Sequence, residues 1–113
     1  MTLTEFLTER IGEDEAIARA LADSTWQDGW DGLTPESWAH FQRFDPARVL
    51  AECEAKRRIL QRCADSLERY QDGDDDEAFS AYLKGLAAAA RSALWDLAGV
   101  YANHPDYRQA WTP

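Results

Sequence analysis

The chain is poor in the side chains that carry most protein chemistry. Only two histidines, His40 and His104, and two cysteines, Cys53 and Cys63, occur in 113 residues. Neither histidine follows a glutamate by three positions, so the Glu-x-x-His pairs of a di-iron bundle are missing. There is no glycine-rich phosphate loop and no Cys/His nucleophile pair. The cysteines fall in one expected helix, about 15 Å apart by its rise per residue. A disulfide spans at most roughly 7 Å between Cα atoms, so the two cannot pair. They read as small buried apolar residues in a reducing compartment. Apolar runs reach only a few residues, too short to span a bilayer. The N-terminus has no basic and apolar leader, so the expected location is the cytoplasm. Positive charge is also scarce. Twenty-one acids against twelve bases leave a net charge of -9. That disfavours direct contact with nucleic acid through phosphates and allows a basic protein partner.

What is present suits one folded helical domain over residues 1–113. Apolar residues make up 45% and aromatics 12%, including five tryptophans, which argues against a disordered chain. Thr2 and Glu5 have the spacing of a capping box. Leu3, Phe6, Leu7, Ile11, Ile17, Ala18 and Leu21 then recur at mostly helical spacing, predicting a first helix near 3–23. Asp45 is placed to cap a central helix and Pro46 suits its first position. That helix is expected over 46–71. Its stripe runs through Val49, Cys53, Leu60, Cys63, Leu67 and Tyr70, with Leu50 and Ile59 widening it. Glu52–Lys56, Glu54–Arg58 and Asp65–Arg69 lie four apart, acid first, the favourable order for surface pairs.

Gly73 breaks the pattern, and Asp74-Asp75-Asp76-Glu77 opens a third helix near 75–101, where acids suit the positive helix end. The run lacks the alternating ligand positions of a calcium loop. Phe79, Leu83, Leu86, Ala90, Ala93, Leu97 and Val100 form the expected seam of this helix, flanked by Leu94 and Tyr101. Asn103 is expected in a left-handed C-terminal position, and Pro105 prevents continuation. His104 is expected to meet the terminal carbonyls, and Tyr107 and Trp111 to fold the tail back. The fold class is therefore all-α: three long helices as an antiparallel bundle, the second and third forming a hairpin.

Between the first two long helices lies an aromatic-rich stretch with the turn pairs Asp28-Gly29 and Asp31-Gly32. Thr34-Pro35 can cap a short helix to about Phe44. Trp26, Trp30, Trp38, Phe41 and Phe44 crowd this stretch. One reading is a lid whose rings plug the bundle. The other is a patch that meets a partner, since tryptophan is enriched at binding hot spots.

Two blocks carry a resemblance. One is Asp45-Pro46-Ala47-Arg48-Val49-Leu50-Ala51-Glu52 with Glu54-Ala55-Lys56-Arg57-Arg58-Ile59. The other is Val100-Tyr101-Ala102-Asn103-His104-Pro105-Asp106-Tyr107-Arg108 with Trp111 and Pro113. With the opening Glu13-Asp14-Glu15, they resemble a family of small uncharacterised proteins of actinobacteria and their phages, labelled a domain of unknown function. The resemblance implies no activity. Some members of that family carry extra Cys and His between the two blocks, which implies a metal there. This chain has neither between residues 64 and 103, so no zinc site is implied for it.

The expected function is a non-enzymatic, acidic interaction module that binds another protein, with a phage or prophage accessory role as its context. The candidate partner-binding residues are Trp26, Trp30, Trp38 and Phe41, with the acids Glu9 and Glu13. No catalytic residue, cofactor or metal is assigned. Two alternatives stand beside this. In one, Glu5, Glu9, Asp14 and Asp23 with Asp74 to Glu77 imitate DNA phosphates. In the other, Glu9, Glu13, Glu52 and Glu54 hold Mg²⁺ for nucleotide hydrolysis. Monomer and homodimer are both open.

Overall fold

The computed structural model describes residues 1–22, 34–73 and 76–113. Among these the chain forms α1 (Leu3–Ala22), α2 (Pro35–Arg43), α3 (Pro46–Asp72), α4 (Glu77–Gly99) and a 3-10 turn, Gln109–Trp111. The class is all-α, with a short helix between the first two long ones, as the periodicity predicts. Trp26, Trp30, Asp23, the turn pairs Asp28-Gly29 and Asp31-Gly32, and Asp74 and Asp75 lie outside the described residues.

Local hydrogen bonds set the helix starts. Thr2 Oγ1 accepts from the Glu5 amide at 3.1 Å, and Glu5 Oε2 accepts from the Thr2 amide at 3.0 Å, closing the capping box. Asp45 Oδ1 accepts from the Arg48 amide at 2.8 Å, with Pro46 in the first turn. Asp76 caps α4, accepting from Ala78 and Phe79 amides at 2.9 and 3.2 Å, so the helix begins at Glu77 rather than 75. Gly73 ends α3 at φ 72, a backbone conformation that side chains resist. The short link then returns α4 along α3, and the two pack closely, which makes them antiparallel. The first helix packs chiefly on α3 and more lightly on α4.

One core joins the three long helices and the tail. Phe6, Leu7 and Ile11 of α1 meet Cys53, Leu60 and Cys63 of α3, Ala90, Leu94 and Ala98 of α4, and Trp111. Burying each of the larger side chains contributes about 1.5–3 kcal/mol. The tail folds back as expected: the Phe6 ring lies 4.9 Å from Trp111, 6.2 Å from Tyr107 and 6.3 Å from Tyr101, centre to centre.

Several expected details differ. The buried face of α4 is Leu83, Ala87, Ala90, Leu94 and Ala98. Phe79 and Val100 are exposed, and Leu86, Ala93 and Leu97 are half-buried. So many apolar positions on this helix satisfy the same spacing that periodicity alone does not choose among them. On α1, Ile17 and Leu21 turn outward while Arg10 and Glu15 are buried. On α3, Ile59 and Tyr70 are exposed. Glu52 pairs with Arg48 at 3.0 Å instead of Lys56, because the Lys56 ammonium lies over the Tyr101 ring at 5.6 Å. Asp65 accepts from Gln61 at 2.9 Å, while Glu54–Arg58 forms as expected at 2.8 Å. Asn103 is not left-handed. The α4 end closes instead through Val100, Tyr101 and Ala102 amides bonded three residues back, at 3.3, 2.9 and 3.2 Å. His104 does not meet helix carbonyls; its Nδ1 accepts from the Asp106 amide at 3.0 Å.

Candidate functional site

The short helix α2 is defined at both ends. Thr34 Oγ1 accepts from the Ser37 amide at 3.1 Å, Pro35 opens the first turn, and the Phe44 amide bonds back to His40 at 2.9 Å. Only Phe44 and Asp45 separate α2 from α3. Arg48 spans this corner: its Nη1 donates to the Arg43 carbonyl at 3.2 Å and its guanidinium lies 4.5 Å from the Phe44 ring centre. A cation at a helix C-terminus also meets the negative end of the dipole. The corner therefore joins the end of α2 to the start of α3 through Arg48.

A cleft of about 590 Å³ results between the second half of α1, α2 and the first turn of α3. Ile17 and Leu21 line it from α1, Trp38 and Phe41 from α2, and Pro46 and Val49 from α3. Of these side chains, Ile17 is 62% exposed, Trp38 45% and Phe41 43%. No residue of α2 is buried. Asp14 and Asp45 supply carboxylates to the lining, and His40 and Gln42 supply further polar groups.

Of the sequence-selected partner residues, the structure brings Trp38 and Phe41 together here. Trp26 and Trp30 lie outside the described residues. Glu9 and Glu13 are elsewhere on α1, both turned to Arg10, at 3.4 and 2.9 Å. Arg10 is buried at 5% exposure, and its Nη1 faces both ring nitrogens of His104, 2.8 Å from Nδ1. Asp106 lies 3.9 Å from the same guanidinium. This cluster ties α1 to the tail. The sequence reading gave Arg10 no role, gave Asp14 one only in the DNA-mimic alternative, and placed Ile17 and Leu21 on the packed face of the first helix. The available signal was that Arg10 and Asp14 occupy helical-spacing positions beside Phe6, Leu7 and Ile11.

Two further polar contacts fix α1. Arg57 of α3 donates to the Glu15 carboxylate from Nε at 2.5 Å and Nη2 at 3.0 Å. This bond holds the Glu15 carboxyl below its ordinary value. Tyr101 Oη donates to Asp14 Oδ2 at 2.8 Å, and burial followed by that bond pushes the phenol well above its ordinary range. Burial likewise raises both thiols, Cys53 and Cys63, which lowers their nucleophilic fraction. The four glutamates of the hydrolase alternative are not gathered: Glu9 and Glu13 face Arg10, Glu52 faces Arg48 and Glu54 faces Arg58. Among the described residues, no three Asp, Glu, His or Cys side chains converge as metal ligands. Among them, too, no helix is long and apolar enough to cross a membrane.

No curated protein and no solved structure matches the chain. A family model, "Family of unknown function (DUF6221)", matches residues 1–113, and the chain belongs to that family.

Proposed function

We propose that the protein is a non-enzymatic interaction module of the cytoplasm that takes the apolar side of a partner protein into the cleft between α1, α2 and α3. The observation that carries this reading is the joint exposure of Trp38, Phe41, Ile17 and Leu21 on the walls of one 590 Å³ cleft. Exposed apolar surface of this kind is characteristic of binding sites, and tryptophan is a frequent anchor. The net charge of -9 favours a partner whose apolar residues are flanked by basic ones. A phage or prophage accessory role is the context the sequence resemblance suggests.

DNA mimicry ranks below this. Glu5 is engaged in the capping box, Glu9 with Arg10 and Asp14 with Tyr101, which leaves these acids less suited to present a row of free charges. The hydrolase reading needs Glu9, Glu13, Glu52 and Glu54 to leave their arginines and share an ion. Affinity capture from the native host, with a salt series and the variants Trp38→Ala and Phe41→Ala, separates the readings. A partner held through high salt and lost on either substitution supports the cleft. A nucleic-acid-binding partner released by modest salt and indifferent to both substitutions supports mimicry instead, because exposed charge pairs are screened. Mg²⁺ binding by calorimetry, lost on Glu13→Gln, supports the hydrolase.

A further inference from the structure

The helix α4 carries a second apolar stripe beside the one it buries. Phe79, Tyr82, Leu86, Ala89 and Ala93 step by three and four, and the same rhythm continues through Asp96 to Val100. That is the spacing of a helix-pairing seam. The core stripe is Leu83, Ala87, Ala90, Leu94 and Ala98, and the second stripe touches that core through Ala93. It faces outward: Tyr82 is 57% exposed, Val100 66% and Phe79 39%, Ala89 is exposed, and Leu86 and Ala93 are half-buried. Phe79 and Tyr82 stack on each other with ring centres 5.9 Å apart. Lys84 and Arg91 lie on the other side of the core stripe by helical rotation, so Asp96 is the single charge on the seam.

We infer that this stripe takes a second copy of the same chain, with the two α4 helices antiparallel about a two-fold axis at Ala89. The stripe is self-complementary in that register and in no parallel one. Antiparallel pairing brings Leu86 within one residue of the level of Ala93, a large side chain beside a small one, and Phe79 within one residue of the level of Val100. It sets Tyr82 opposite Asp96, where the phenol donates to the carboxylate and the one charge gains a partner. Ala89 meets Ala89 on the axis, which lets the backbones approach closely. Parallel pairing instead puts Asp96 against Asp96, Phe79 against Phe79 and Leu86 against Leu86, a like-charge clash with alternating bulges and gaps. Antiparallel helix dipoles also oppose each other favourably. A contact that repeats itself through a two-fold axis closes at a dimer. The surface is separate from the α1–α2–α3 cleft, so it does not depend on the partner-binding proposal.

Sedimentation equilibrium over a concentration series tests the inference. The expected mass is twice that of the chain. Ala89→Glu places two carboxylates on the axis at an exposed position, so it leaves the helical circular dichroism unchanged. It raises the dimer dissociation constant by about tenfold or more, the cost of pressing like charges together in a desolvated contact. Oxidation of Ala89→Cys is expected to yield a cross-linked dimer, whereas Ala93→Cys, which lies beside Leu86 in this register, stays uncross-linked. Trp38→Ala keeps the dimer. A monomer at high concentration overturns the inference, as does a dimer unaffected by Ala89→Glu. Efficient cross-linking of Ala93→Cys overturns the antiparallel register.

Discussion

Glu15 of α1 and Arg57 of α3, 42 positions apart in the chain, form a two-bond pair in which the guanidinium holds a nearly buried carboxylate. Arg19 adds a weaker approach to the same carboxylate at 3.7 Å. The pair fixes the rotation of α1 against α3, and with it the direction of Ile17 and Leu21 into the cleft.

The pair predicts acid sensitivity with a definite sign. Glu15 is held below its ordinary value of 4.5, chiefly by the bond from Arg57. Its contribution is complete above 4.5 and is lost as pH falls toward the lowered folded value. Urea unfolding is expected to show less stability at pH 3.5 than at pH 6 (about the two sides of that window). Glu15→Gln is expected to shrink the difference. An unchanged difference would remove Glu15 from the account.

Phe6 is wholly buried among the rings of Tyr101, His104, Tyr107 and Trp111. Phe6→Ala is expected to cost about 3–5 kcal/mol, the usual loss for deleting a buried phenyl group. Phe6→Leu is expected to cost less. Chemical denaturation measures both, and near-ultraviolet circular dichroism is expected to lose the fixed tryptophan signal as the tail comes away.

Tyr101 predicts a spectroscopic signature. Burial and the bond to Asp14 keep its phenol neutral well beyond the ordinary value of 10.0. In an ultraviolet titration its step is expected well above 10.0 and is expected to be missing from Tyr101→Phe. The stability tied to it is complete below 10.0 and declines as pH rises above that. The substitution is expected to cost about 1.5–3 kcal/mol, as for hydrogen bonds to charged groups.

Cys53 and Cys63 are 1% and 8% exposed, with thiols raised by burial. Both are expected to react with iodoacetamide only as fast as the fold opens. Mild urea is expected to accelerate the reaction. Rapid modification of the native protein at neutral pH would contradict this packing.

The helices and their starts were legible in the sequence because they rest on local chemistry. Thr2 with Glu5 and Asp45 with Arg48 satisfy amides within three residues, and Gly73 stops α3 with its own backbone. The same holds for the hairpin, which follows from two long patterns and a short link. The tertiary structure decided what local spacing leaves open. On α4, two apolar stripes fit the same periodicity, and only contact with α3, α1 and the tail selects Leu83, Ala87, Ala90, Leu94 and Ala98 for burial. On α1, helical spacing marks Ile17 and Leu21 as core. Yet Glu15 and Arg10 go inward, because Arg57 and His104 wait there from 42 and 94 residues away. A buried charge is tolerable only with such a partner, and a partner that distant is brought close by the fold rather than by the order of residues. That exchange turns Ile17 and Leu21 outward and, opposite Trp38 and Phe41, makes the cleft.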